Sequence, residues 1–320
     1  MPIKIDQNLP ASDILEREGV LLIKENDAIR QDIRPMRIAL LNLMPKKIET
    51  ETQIARVLAG SPLQVEMTLV APTGYQPKNT PREHMLDFYK EFEVIKGERF
   101  DGLIITGAPI EQLPFEEVTY WEELTRIFDW TRTNVHGLFN LCWGAQAALY
   151  HFYGIPKYHL PTKRFGVFPH QVTNHKSLLL NGLNDLIHVP VSRHTENRPV
   201  DFAAHPDLKL LISSAEAGMC LVQDTKLRHV HMFNHLEYDS DTLHNEYVRD
   251  LTTGKPIEPP KYYYPNSDPK CDPVNIWRGS GHQLFTNWLN SIYQTTPSDL
   301  NSIGNGPLHR TTVVRPKPIP

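Results

Sequence analysis

The chain has little of what marks a secreted, membrane-bound or nucleic-acid-binding protein. Across its 320 residues no apolar run approaches the roughly 20 that a membrane-spanning helix requires. Cysteine occurs only three times, as Cys142, Cys220 and Cys271, too few and too scattered for a disulfide framework. Met1 to Asp13 has neither a basic opening nor an apolar stretch, so no signal peptide is expected there. These features together point to a reducing, cytoplasmic protein in which a free thiolate survives. Positive charge is also short: the net charge is -4 and no basic stripe is concentrated anywhere. That removes the electrostatic case for nucleic acid, while a few placed cations still suit a small anion. Internal repeats are lacking too.

What is present is an alternation of strand-like and helix-like segments over the first half. Met36 to Leu43 is a continuous apolar run suited to a strand covered on both faces. Further strands are expected over Gln64–Val70, Asp101–Gly107 and Gly137–Leu141, with helices over Glu49–Leu58, Arg82–Phe92, Tyr120–Thr133 and Gly144–Phe152. Repeated β-then-α units predict a doubly wound α/β fold with a mostly parallel sheet. The second half is less regular, with short strands over Leu208–Ser213, Gly218–Val222 and His229–Phe233 and helices over Thr242–Thr252 and Gln283–Gln294. The Pro- and Tyr-rich stretch Lys255–Pro273 is longer than an ordinary connection, which suggests a packed functional flap or a dimer element. This division gives a 1–34 extension packed on the core, a single 35–296 catalytic domain and a polar 297–320 tail.

Apolar residues run straight into Cys142, and small residues follow it: Phe139-Asn140-Leu141-Cys142-Trp143-Gly144-Ala145. A nucleophile on a strand-to-helix turn needs small neighbours because the following helix packs closely. The positive end of that helix lowers a thiol pKa, and its backbone N–H groups can hold an oxyanion. A small buried hydrophobe is the competing reading of Cys142 on this segment alone, and Cys220 fits that reading better. A base is available in Arg228-His229-Val230-His231-Met232-Phe233-Asn234-His235-Leu236-Glu237-Tyr238. His235-Leu236-Glu237 follows a strand end, where open α/β sheets build their sites. No metal centre is expected, since His231 and His235 have no third ligand at zinc-site spacing. Lys46 and Lys47, just ahead of a helix start, suit an anion or an ordinary solvated pair.

A cysteine on such an elbow with a later His-x-Glu resembles the class I glutamine amidotransferase-like (flavodoxin-like) fold. Within it, the chain is similar to the homoserine O-acyltransferase family of methionine biosynthesis, through Leu41-Asn42-Leu43-Met44-Pro45-Lys46-Lys47-Ile48-Glu49, Thr106-Gly107-Ala108-Pro109, Cys142-Trp143-Gly144-Ala145-Gln146, Ser192-Arg193-His194-Thr195-Glu196 and Leu284-Phe285-Thr286-Asn287-Trp288. The resemblance implies Cys142 as nucleophile, His235 as general base and Glu237 as its orienting carboxylate. It implies substrate contacts at Lys163, Ser192 and Arg249, and an oxyanion hole from the Trp143 and Gly107 backbone. It associates a glutamate at position 111 with acetyl rather than succinyl transfer, because Glu111 would repel the succinyl carboxylate. Acetyl-CoA is then a substrate, with no tightly bound cofactor, and a homodimer is expected with the Tyr262-Tyr263-Tyr264 loop as one contact. Departures from the family pattern at Val191, Asn234, Leu236 and Gly279–His282 border the site and leave L-serine open as acceptor beside L-homoserine. A glutamine-hydrolysing amidotransferase is the remote alternative on the same fold.

Overall fold

A computed structural model describes residues 3–4, 6, 8–18, 22–23, 34–74, 79–174 and 176–304. Among them the strands are β1 (Ile3–Lys4), β2 (Leu22–Ile23), β3 (Met36–Leu41), β4 (Val65–Ala71), β5 (Tyr89–Glu91), β6 (Phe100–Ile105), β7 (Val135–Leu141), β8 (Tyr158–Val172), β9 (Leu186–Glu196), β10 (Leu208–Ser214), β11 (Gly218–Asp224) and β12 (His229–Met232). The α-helices are α1 (Pro10–Arg17), α2 (Lys47–Ala59), α3 (Arg82–Phe88), α4 (Phe92–Ile95), α5 (Trp121–Asn134), α6 (Trp143–Tyr153), α7 (Thr242–Thr252) and α8 (Arg278–Thr295).

All strands join one sheet in the order β2-β1-β4-β3-β6-β7-β12-β11-β10-β8-β9, with β5 paired to β4. The β1 to β7 half and the β7–β12 pairing are parallel. Beyond β12 the sheet continues antiparallel through β11, β10, β8 and β9. The expected α/β class with a mostly parallel sheet is what the chain forms.

The central strands are apolar on both faces because helices cover both. Ile38, Leu40, Ile104 and Phe139 pack with α2 and α8 on one side. Ala39, Leu41, Leu103, Ile105 and Leu138 face α5 and α6 on the other. Phe139 stacks on Phe285 of α8 with ring centroids 4.8 Å apart, which fixes that helix against the middle of the sheet. Leu9, Ala11 and Leu15 of the first helix join the same core as Ile54 and Leu58, and Arg56 reaches Glu18 at 2.6 Å.

Several expectations need correction. The helix expected over Arg82–Phe92 stops at Phe88, because Tyr89 turns its hydroxyl onto Glu51 and Asn42 and pairs with Leu69 as β5. The long β8–β9 hairpin falls where no element was expected. The last helix starts earlier than read, at Arg278. Lys255–Pro273 is a packed segment: Lys261 bonds β8 through Phe165 O and Val167 N, and Tyr263 and Tyr264 are buried within the chain. Those two rings are therefore unavailable as dimer contacts, and only Tyr262 is exposed. No helix among the described residues is long and apolar enough to cross a membrane. Of the expected extension and tail, residues 1–2, 5, 7, 19–21, 24–33 and 305–320 lie outside the described residues.

Candidate active site

Strand β7 ends at Leu141 and α6 begins at Trp143, leaving Cys142 alone to turn the chain. It does so at φ 49° and ψ -117°, a conformation that side-chain-bearing residues rarely adopt and that costs about 1–3 kcal/mol. Backbone bonds hold it there, one of them from Gln146 N–H to Cys142 O at 3.3 Å. Cys142 N–H donates to Met232 O at 2.7 Å, and Cys142 O accepts from Ala145 N–H at 3.0 Å. The neighbours must be small. A Cβ on Gly144 would lie 2.7 Å from Thr106 O, and one on Gly107 would lie 3.0 Å from Cys142 Cβ. Gly107 thus sits directly against the thiol-bearing residue.

His235 follows β12 on a loop whose backbone N–H donates to Pro190 O at 2.9 Å, tying it to β9. Its Nδ1 meets Glu237 Oε1 at 2.6 Å, and its ring stacks on Tyr238 at 4.0 Å with planes 10° apart. The other ring nitrogen is left toward Cys142, with which it is in hydrogen-bonding contact. Burial opposes a charged imidazole, but the Glu237 carboxylate and then the Cys142 sulfur outweigh it and push the pKa up to about 10. The arrangement favours the protonated form of the His235 imidazole.

The loop is pinned behind by Asn234, which the sequence marked only as a departure from the family pattern, and by His170, which it did not single out. Buried Asn234 contacts His170 Nε2 at 2.9 Å, and His170 Nδ1 meets Phe168 O at 2.8 Å. Burial pushes His170 down to about 4, so it is neutral, donates from Nδ1 and accepts from Asn234.

Cys142, His235 and Glu237 open onto a cavity of about 890 Å³, which Glu111, Lys163, Ser192 and Arg249 also line. On one side, Thr195 Oγ1 lies 3.2 Å from Glu111 Oε2 and 2.9 Å from Gln146 Oε1, so the acid is anchored near the first turn of α6. Lys157 donates to the backbone carbonyls of Glu111 and Leu113 and fixes the segment that carries it. On the other side, Glu246 of α7 joins the three expected substrate contacts. It accepts from Lys163 Nζ at 2.8 Å and from Ser192 Oγ at 2.8 Å, and it meets Arg249 at 3.4 Å. Arg249 also contacts Asp250 at 2.7 Å, and Lys163 reaches Asp250 at 3.4 Å. Burial raises the Glu246 pKa, yet Lys163, Ser192 and Arg249 together hold it below the usual value. Glu246 and Asp250 are additions to the sequence reading. Their spacing with Arg249 along α7 places all three on one helix face, a signal that the sequence did carry.

Lys46 and Lys47 part company. Lys46 lines the cavity and pairs with Glu49 at 3.1 Å. Lys47 is buried, donates to Asn42 O, and is pushed down to about 7 by burial against the opposing pull of Glu51. Cys220 is buried in the core, where burial pushes its thiol up to about 12.

The fold is that of the class I glutamine amidotransferases. A glutamine amidotransferase from Thermotoga maritima superposes with a TM-score of 0.53, covering 82% of this chain and 100% of its own at 10% identity. The chain belongs to the homoserine O-succinyltransferase family, whose model matches residues 2–298. Among its relatives, a homoserine O-acetyltransferase of Allorhizobium ampelinum is 56% identical over 306 residues, 96% of this chain and 99% of its own. A homoserine O-acetyltransferase of Hyphomonas neptunium is 56% identical over 304 residues, 95% and 100% of the two chains.

Proposed function

We propose that the chain moves an acetyl group from acetyl-CoA to the hydroxyl of L-homoserine through an acetyl-Cys142 intermediate. The observation that carries this reading is one cavity holding the Cys142–His235–Glu237 set between Glu111 and the Lys163–Ser192–Glu246–Arg249 cluster. In the first half-reaction the Cys142 thiolate attacks the thioester carbonyl. The oxyanion is received by the backbone N–H groups of Trp143 and Gly107. His235, held protonated by Glu237, gives its proton to the departing CoA sulfur, and an acetyl thioester remains on Cys142. One thioester is exchanged for another, so this step is nearly balanced.

In the second half-reaction neutral His235 takes the acceptor hydroxyl proton and the oxygen attacks the acetyl carbon. Collapse expels the Cys142 thiolate beside the recovered imidazolium, and no proton is left over. Glu237 keeps the Nδ1 proton in place, so the opposite nitrogen does the proton transfer. Lys163 and Arg249 suit the acceptor carboxylate, and Glu246 suits its ammonium group.

Glu111 supports acetyl over succinyl. Two anions about 4 Å apart at an effective dielectric near 20 repel by about 4 kcal/mol. Acetyl-CoA is a substrate in this reading and no cofactor stays bound. A homodimer in a reducing cytoplasm is part of the same proposal, by resemblance to the family, and sedimentation tests the first. The main test is incubation with acetyl-CoA alone: Cys142 is expected to gain one acetyl group by mass, and a shift that survives in Cys142→Ala refutes the mechanism. Steady-state comparison of homoserine with serine, each with acetyl-CoA and succinyl-CoA, tests both substrates.

A further inference from the structure

Away from the cavity, a second cluster of chemistry-bearing side chains lies under the C-terminal half of α6. Asp224 ends β11, and His229 and His231 point to the same face of β12, as alternate residues of a strand must. All three are buried, and one potential ligand atom from each lies within 4.8 Å of the other two. None of them lines the active-site cavity.

Two features of this cluster are costly as they stand. Asp224 is a fully buried carboxylate: Oδ1 accepts from the backbone of Lys226 and Leu227, and Oδ2 accepts from Tyr153. No lysine or arginine pairs with it among the described residues, although buried charges are ordinarily paired or bound to metal. His231, also fully buried, has an Nε2 without a hydrogen-bond partner. Its Nδ1 lies 3.4 Å from Asn140 Nδ2, a long contact, while Asn140 Oδ1 has no partner either. Turning the Asn140 amide over lets Oδ1 accept from His231 Nδ1–H. His231 Nε2 then keeps its lone pair, the arrangement that orients a metal-binding imidazole.

We infer that Asp224, His229 and His231 form a binding site for a divalent cation of the zinc class. Two imidazoles and a carboxylate are the donor set such a cation prefers. The cation supplies the charge that Asp224 lacks and occupies the Nε2 lone pair of His231. Water or Tyr153 Oη is the fourth donor. Ligands about 2.0–2.2 Å from zinc stand about 3.5 Å apart, so the side chains close by about 1 Å on binding. The site ties β11 and β12 to each other and, through Tyr153, to the helix that begins at the nucleophile. Its role is structural.

The test uses the full chain carrying Cys142→Ala, which removes the one cavity thiol as a competing ligand for Zn²⁺. After dialysis against a chelator, Zn²⁺ is titrated by calorimetry and by thermal unfolding. One equivalent per chain is expected, with Tm raised by about 5 °C at a free Zn²⁺ concentration about 100-fold above Kd. Added His229→Gln and, separately, Asp224→Asn are expected to abolish both signals. His231 is fully buried, so His231→Gln is read only after circular dichroism shows the native fold; His229→Gln carries the test otherwise. Absence of saturable one-to-one binding overturns the inference, as does binding retained in both His229→Gln and Asp224→Asn.

Discussion

Replacing Glu237 with glutamine removes one charge from the catalytic pair and leaves its shape. The carboxylate oxygen is 2.6 Å from His235 Nδ1, and both side chains are buried. Taking the delocalised charges as about 4 Å apart at an effective dielectric near 20, the interaction is worth about 4 kcal/mol. That corresponds to about three pKa units. His235, pushed up to about 10 in the native pair, should then titrate near or below about 7, since burial pulls the same way. The sign follows from the chemistry. Acetylation of Cys142 needs the imidazolium as proton donor to the CoA sulfur, so the variant loses its acid as pH rises through the lowered pKa. The assay is quenched-flow mass spectrometry of acetyl-enzyme formation between about pH 6 and about pH 10. At about pH 8 the rate should fall about tenfold or more, and the alkaline limb should move down by about three pH units. A Glu237→Gln enzyme with an unmoved alkaline limb refutes the charge argument, whatever its absolute rate. The same pair bears on folding. A folded pKa above the unfolded value of 6.5 stabilises fully below that value, and the contribution is lost as pH rises towards about 10. Urea unfolding of the native chain should show that alkaline decline, and the decline should be smaller in Glu237→Gln.

Glu111→Gly should raise kcat/KM for succinyl-CoA relative to acetyl-CoA by up to about 10³-fold; a change in that ratio below tenfold argues that Glu111 does not choose the acyl group. Glu246→Gln should raise KM for homoserine while acetyl-enzyme formation from acetyl-CoA stays within about threefold of native, because Glu246 contacts the acceptor cluster and not the thiol. Gly144→Ala drives a methyl group to 2.7 Å from Thr106 O. It should cost about 1–3 kcal/mol of stability, read as a lowered urea midpoint.

The parallel half of the fold was legible because its strands are unbroken apolar runs separated by amphipathic helices. Cys142 was legible for the same reason: the run of β7 stops at a thiol and resumes as a helix of small residues. The β8–β9 hairpin was not. Pro161, Gly166, Pro169 and Pro190 interrupt any alternation, and polar Lys163, Arg164 and Arg193 stand where a strand would show apolar residues. The sheet tolerates them through a register shift between His159 and Arg164 and by burying Arg193 against the carbonyls of Ala217 and Met219. Glu246 and Asp250 share a helix face with Arg249, but their partners Lys163 and Ser192 come from the hairpin and are distant in sequence. The pairing of His170 with Asn234 was hidden for a related reason, since it joins β8 to the loop after β12, which are brought together by the antiparallel half.

The sheet's change from parallel to antiparallel pairing separates two kinds of work. The parallel half supplies the proposed nucleophile, Cys142, on a turn that tolerates almost no change in its neighbours. The β8–β9 hairpin supplies Lys163 and Ser192, along with the carbonyl of Pro190 that steadies the base. In the proposed reaction, selection for a different acceptor can therefore edit Lys163, Ser192 and one helix face and leave the Pro190 carbonyl and the Cys142 turn as they are.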